Sequence, residues 1–242
     1  MPRDVTYASY LDLDRILSAQ HPASAAHDEL LFIIVHQASE LWFKLIIHEL
    51  RALHERLGEN DTLGALGAVK RVNALVRIVT AQLNALETLP PQRFAQFRGY
   101  LGTSSGSQSV QFRTIEAMSG LRDQHFIQVL EEHSPIPPLI ADALATPTLQ
   151  DQFNKVLENH GVTLEQIYTG EDQRPLQMLA EGLLEYEQGF AMWRFLHVQL
   201  VERIIGPNTG GTGGTLGSRY LQRTVSQKFF PSLWEIRAKF FK

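Results

Sequence analysis

Two histidines stand inside apolar segments with helical spacing, where an imidazole could serve as a ligand. His36 follows Phe32 by four residues, and His197 follows Trp193 by four residues, with Phe195 between them. Because residues four apart share one face of a helix, each histidine would have an aromatic ring beside it. A neutral imidazole next to an apolar slot can bind haem iron, although a single helical histidine is more often a packed core residue. These residues alone leave both interpretations open.

Other metal centres find less support. The chain contains no cysteine, which excludes disulfides, thiolate zinc sites, iron–sulfur clusters and thiolate-ligated haem. A carboxylate-bridged di-iron centre needs Glu-x-x-His on two helices, and that motif does not occur. His48 and Glu49 begin like a zinc-protease motif, but the next histidine, His54, comes two positions too late. Haem is therefore the best use of an isolated helical histidine.

Arg98 is a candidate for binding a carboxylate. It precedes a turn rich in glycine and serine, so hydroxyl or backbone donors of Ser104 and Ser105 could lie beside its guanidinium. A guanidinium binds a carboxylate through two parallel hydrogen bonds. Most arginines are only surface charges, and the residue alone identifies no substrate.

A second glycine-rich segment, residues 206–217, has two interpretations. No lysine follows its glycines, and it comes after a helix instead of joining a strand to one, so a phosphate-binding loop is disfavoured. The segment is either a flexible connector between helices or a lid whose glycines act as hinges over a buried site.

The bulk properties predict a soluble, cytoplasmic protein. The 242 residues are 44% hydrophobic, enough for a large core, and the net charge of -4 favours neither nucleic acid nor an anionic membrane as partner. The N-terminus lacks the apolar core of a signal peptide, and charges break the other apolar runs before they reach the length of a membrane span.

Apolar residues recur at three- and four-residue steps along most of the chain, and no series of alternating strands is seen. The predicted fold is all-α, a helical bundle in which the first two long helices form an antiparallel hairpin. We expect one domain, 1–242, with an N-terminal arm over 1–20 and a shortened, peripheral helical region over 121–172. Helices are predicted over 27–58, 62–89, 92–96, 107–118, 174–205 and from 231 onwards.

Five motifs, in order along the chain, resemble the tryptophan 2,3-dioxygenase family. They are the N-terminal segment Tyr7–Gln20, the helix His27–Lys44, the turn Phe97–Ser109, the Trp193–His197 sequence, and Gly211–Thr215 in the glycine loop.

The resemblance implies long antiparallel helices around a b-type haem, one per subunit and ferrous in the active state. His197 would be the axial ligand of the haem iron, with Trp193 and Ser105 in the cofactor pocket. His36 would accept a hydrogen bond from the indole N–H of the substrate. Phe32 would pack on the indole ring.

The same resemblance assigns Arg98 to the substrate carboxylate and Thr212 to the ammonium or carboxylate group once the glycine loop closes. Tyr7 and Tyr10 would reach into the pocket of a neighbouring subunit, so a homo-oligomer, normally a tetramer, is expected. The implied partners are L-tryptophan or a close indole amino acid, with O2 as co-substrate.

The implied reaction inserts both atoms of O2 across the indole C2–C3 bond of L-tryptophan and gives N-formylkynurenine, the first step of tryptophan catabolism by the kynurenine route. Three positions depart from the family pattern. Phe94 stands where some bacterial members have tyrosine, Ser107 replaces a usual phenylalanine, and Ala38 replaces a bulkier residue. The chain between Gly120 and about Leu183 is also shorter than is typical.

Two alternatives remain. Ser107 and Ala38 could enlarge the pocket, which favours a haem-dependent monooxygenase acting on tryptophan or indole derivatives in secondary metabolism, whereas the intact glycine loop speaks against it. The second alternative is a non-catalytic haem-binding helical protein. It is disfavoured because His36, Arg98 and Thr212, which would bind a substrate, are all present.

Overall fold

The computed structural model describes residues 5–122, 135–207, 222 and 224–241. Every regular element in these ranges is helical, as the sequence predicts. The α-helices are α1 (Tyr7–Leu11), α2 (Leu13–Leu17), α3 (Glu29–Gly58), α4 (Thr62–Ala81), α5 (Leu83–Leu86), α6 (Pro91–Arg98), α7 (Val110–Met118), α8 (Pro138–Ala145), α9 (Leu149–Asn159), α10 (Leu164–Thr169), α11 (Arg174–Ile205) and α12 (Pro231–Glu235). Short 3-10 turns occupy Gly99–Leu101, Gly106–Gln108, Glu171–Gln173 and Ile236–Phe241.

Helices α3 and α4 form the predicted antiparallel hairpin. Asp61 caps α4 by accepting the N–H of Gly64, so the chain turns back within three residues of the end of α3. The predicted second helix is interrupted at Gln82, whose amide donates to the Ser39 hydroxyl across the hairpin. The apolar periodicity continues past the break because α5 buries its leucines in the same core.

Helix α11 lies against α4, and two glycines allow a close approach. A Cβ at Gly182 would stand 2.9 Å from Val69, and one at Gly189 would stand 2.7 Å from Val76. The Asn73 amide donates to the carbonyl of Gly182 at 3.0 Å. The two glycines are seven residues apart, so they lie on one face of α11. Packing of this face against α4 fixes the position of α11, the helix that carries His197.

The expected helix over 107–118 begins three residues late. Ser109 has extended backbone and accepts the N–H of Phe112, so it is the N-cap, and α7 starts at Val110. Residues 106–108 instead form a 3-10 turn capped by Ser105.

The segment expected at the periphery also contributes to the centre. Leu149 and Phe153 of α9 are fully buried in the main core, where α9 packs against α3. At its beginning, Arg122 donates to the carbonyl oxygens of Ala117, Ala143, Leu144 and Thr146, which joins the ends of α7 and α8.

Helix α3 has the length and apolar composition of a membrane span. Glu40 and Lys44 interrupt its apolar run, as predicted from the sequence. In the fold, α3 packs against α4, α7 and α9 as the central helix of the bundle. Core helices of soluble proteins meet the same criteria, so this helix is weak evidence for a membrane.

Candidate functional site

A cavity of about 250 Å³ lies between α3, α6, α7 and α11. The two histidines singled out from the sequence both line it, from α3 and α11. Four further predicted site residues are in its wall as well, namely Phe32, Arg98, Ser105 and Trp193. The fold therefore brings together residues from distant parts of the chain.

His197 is held against a neighbouring ring on α11. The imidazole stacks on the Trp193 indole, with ring centroids 5.1 Å apart and an angle of 26° between the planes. Burial, with a smaller contribution from His36, lowers the pKa of His197 to about 4. The imidazole is thus neutral at physiological pH, which is the state that ligates a metal. Phe195, which the sequence placed beside this slot, is instead 47% exposed and lies outside the cavity wall.

His36 has its tautomer fixed by its own helix. Nδ1 lies 2.7 Å from the carbonyl oxygen of Phe32. A carbonyl can only accept, so Nδ1 carries the proton of the neutral ring and Nε2 is a hydrogen-bond acceptor. Burial lowers the pKa of His36, against opposing contributions from the Phe32 carbonyl and Glu40. The side chain lines the cavity and offers an acceptor there.

Aromatic rings form the wall around His36. The Phe32 ring lies 4.1 Å from the imidazole, and 5.8 and 5.6 Å from the rings of Phe94 and Phe97. Phe94 and Phe97 are both buried. This region can pack a flat apolar group.

Arg98 is the last residue of α6 and is half-buried in the cavity wall. Ser105 also lines the cavity, and its hydroxyl pairs with that of Ser107 at 2.9 Å. Ser104 does not line the cavity; its side chain is exposed and donates to the carbonyl of Leu101 at 2.6 Å.

The opposite wall contains a buried charged cluster that sequence reasoning missed. Glu116 binds Arg113 at 2.7 Å and Arg194 at 3.1 Å, and both arginines line the cavity. Within the part of the chain that the structure describes, Arg194 Nε and Trp193 Nε1 are buried donors with no hydrogen-bond partner. The signal was weak, since Arg113 and Glu116 look like an ordinary i, i+3 pair on a helix surface.

Three predicted residues are not among the described residues that line this wall. Tyr7 and Tyr10 are 77% and 78% exposed on α1, none of whose residues is buried. Thr212 lies outside the described residues, as does most of the glycine loop. Thr224, which follows that loop, does line the cavity and was not singled out from the sequence.

The cavity residues fit a haem. Among the described residues no group of three His, Asp or Glu side chains could hold a bare metal ion. One neutral imidazole beside an apolar slot suffices for haem iron, and buried donors without partners suit the carboxylates that the porphyrin carries. Trp193 Nε1 and Arg194 Nε are such donors.

Comparisons with known proteins agree with this site. A family model for tryptophan 2,3-dioxygenase matches residues 2–134 and 152–240. The tryptophan 2,3-dioxygenase of Anaeromyxobacter dehalogenans (strain 2CP-C) is 39% identical, over 96% of this chain and 95% of the relative. That of Caulobacter vibrioides (strain ATCC 19089 / CIP 103742 / CB 15) is 38% identical, over 99% of this chain and 100% of the relative.

The family match is interrupted over 135–151, inside the segment where the sequence departs from the family pattern. Most of the cavity wall lies in the two matched stretches, including both histidines and the charged cluster. The chain belongs to the tryptophan 2,3-dioxygenase family, whose members are haem-dependent oxidoreductases.

Proposed function

We propose that this protein is a tryptophan 2,3-dioxygenase that converts L-tryptophan and O2 into N-formylkynurenine, the first step of tryptophan catabolism by the kynurenine route. The observation that carries the proposal is a single cavity lined by two neutral histidines on separate helices, with an arginine at its wall. One histidine serves the cofactor and the other serves the substrate.

The cofactor would be one b-type haem per subunit. His197 would ligate the iron, Trp193 and Ser105 would line the porphyrin, and Arg113 and Arg194 would face its carboxylates. Haem in the ferrous state supplies activation of O2, which otherwise reacts slowly with a closed-shell indole. The protein contributes a neutral ligand and an apolar enclosure that excludes water.

His36 would orient the indole. Because its Nε2 is an acceptor, it matches the indole N–H, which is a donor only. Phe32, 4.1 Å from the imidazole, would pack on the indole face. Holding the ring in one orientation brings C2 and C3 to the reacting position, which is a contribution of proximity and not of proton transfer.

Arg98 would bind the carboxylate of the amino acid. Its half-buried position strengthens a charge-assisted pair relative to one in open solvent. Thr212 would complete this contact when the glycine loop closes. Phe94 supplies no hydroxyl here, so selection for a free amino acid depends on these two residues.

The protein is proposed to be a cytoplasmic homo-oligomer, normally a tetramer. Helices α1 and α2 bury no residue in their own chain, and Leu17 joins Tyr7 and Tyr10 among their exposed apolar side chains. Helix α3 also exposes Leu30, Ile34 and Leu41. A neighbouring subunit would cover both surfaces, with Tyr7 and Tyr10 near its pocket. Light scattering of the purified protein should give a mass about four times that of the chain, and a stable monomer would contradict this part of the proposal.

A haem-dependent monooxygenase remains a second candidate, since Ser107 places a hydroxyl in the cavity wall where the family usually has phenylalanine. The deciding experiment incubates the ferrous haem-loaded protein with L-tryptophan under isotopically labelled O2 and measures the product by mass spectrometry. Two labelled atoms in N-formylkynurenine support the dioxygenase. One labelled atom supports the monooxygenase, and no labelled product would leave either an unidentified substrate or a haem-binding protein without turnover.

A further inference from the structure

We propose that Glu116 sets the electric charge beside the haem and thereby the reduction potential of its iron, by compensating the charge of the two arginines that it binds. Glu116 would be a positioning residue that acts through Arg113 and Arg194. The inference rests on the proposed haem site and concerns a property of that cofactor that can be measured without turnover.

The geometry makes Glu116 a bridge. One carboxylate oxygen accepts from Arg113 at 2.7 Å, and the other accepts from Arg194 at 3.1 Å. Glu116 and Arg194 are each only 3% exposed at their side chains, and Arg113 is 12% exposed. Water therefore screens these charges poorly, and the three side chains act as one unit.

Among the described residues, two guanidinium groups share this one carboxylate. A guanidinium is expensive to bury unless its donors have partners. The unpartnered Nε of Arg194 and Nε1 of Trp193 indicate the same requirement. The propionate groups of haem b supply anions of the right kind. A second acid of the protein, Glu40, lines the cavity and accepts from Gln111 at 2.8 Å.

The cluster also lies next to the proposed iron ligand. Arg194 precedes His197 by three residues on α11, while Glu116 lies on α7. Residues three apart on a helix are neighbours, so a change of charge at this bridge acts on the ligand side of the cofactor. Ferric haem carries one more positive charge than ferrous haem. A nearby positive charge therefore favours the ferrous state that the reaction needs.

The test is a spectroelectrochemical titration of the haem-loaded protein and its variants. Glu116→Gln removes a negative charge and should shift the midpoint potential upwards. Arg194→Met removes a positive charge and should shift it downwards. At a fixed ambient potential, each change should alter the ferrous-to-ferric ratio by about tenfold, the order expected of one buried charge acting across a haem cavity.

Two further variants separate charge from structural damage. The double variant E116Q/R194M restores the original net charge and should return close to the wild-type potential. Glu116→Asp keeps the charge and should stay close to it. Glu29→Gln removes another buried carboxylate, at the start of α3 and outside the cavity wall, and should leave the potential unchanged.

Shifts of the same sign in Glu116→Gln and Arg194→Met, or no shift in either, would overturn the inference. If Glu116→Gln does not fold, Arg194→Met and Arg113→Met still decide it, since each must lower the potential. Failure of the unaltered chain to bind haemin would instead overturn the proposed haem site, an outcome visible from the absence of a Soret band.

Discussion

The two walls of the cavity are built differently. On the α7 and α11 side, a buried carboxylate binds two arginines, and the Trp193 ring stacks on His197. On the α3 and α6 side, the wall consists of aromatic rings, and His36 is held by one hydrogen bond to its own helix. The first wall suits a group that stays bound, and the second suits one that enters and leaves.

The largest effect is expected from removing the proposed iron ligand. His197→Ala should abolish stable haem binding, because no other imidazole on the α11 side lines the cavity within the described residues. The Soret absorbance of the purified protein measures this. His48→Ala, an exposed histidine of α3, is the matched control. A variant at position 197 that purifies with a full Soret band would assign the ligand to another residue.

The next largest effect should come from Arg98→Ala. Loss of a half-buried guanidinium should raise the KM for L-tryptophan by about 100-fold, as removal of one partner of a buried charge pair costs several kcal/mol. The KM for an indole substrate without a carboxylate should change little. Arg93→Ala, an exposed arginine of the same helix, is the control. Equal effects on both substrates would rule out a carboxylate contact.

His36→Ala should have a smaller effect, since its proposed role is orientation. Haem should stay bound while kcat falls about tenfold, the size of one lost hydrogen bond to the reacting ring. The sharper readout is discrimination between L-tryptophan and 1-methyl-tryptophan, which lacks the indole N–H. The wild-type preference should largely disappear in the variant. An unchanged preference would show that His36 does not accept this hydrogen bond.

The smallest effect concerns the anchoring of α3, which carries the substrate side. Glu29 accepts from the Ser24 hydroxyl and from the N–H groups of Ala23 and Ser24, and these bonds, led by the Ser24 hydroxyl, lower its pKa below 4.5. The stabilisation is present above pH 4.5 and is lost as the pH falls through the lowered value. Glu29→Gln should thus lower the melting temperature at pH 7 and have a smaller effect at pH 3. An equal loss at both pH values would contradict the assignment.

Much of the fold could be predicted because it depends on local periodicity. Helix α11 has the predicted bounds, and α3 begins two residues later than predicted, because apolar residues recur regularly and no proline interrupts either helix after its first turn. The errors are local as well. Ser109 caps α7, which begins three residues after the expected start, and Gln82 divides the second helix. A single side chain that bonds to the nearby backbone can decide where a helix begins or breaks. Apolar periodicity is a pattern over several turns, so it does not locate such a residue.

The sequence by itself determined the helical class, the family resemblance and six residues that now line one cavity, from Phe32 to His197. Spacing along single helices indicated only the pairs Phe32 with His36 and Trp193 with His197, since residues four apart share a face. The resemblance implied that Arg98 and Ser105 belong to the same site. Only the tertiary structure decided that Phe195 lies outside the cavity, that Thr224 lines it, and that Glu116 joins Arg113 to Arg194. Burial and long-range ion pairs depend on how helices distant in sequence pack together, and that information is not present in the periodicity of any one of them.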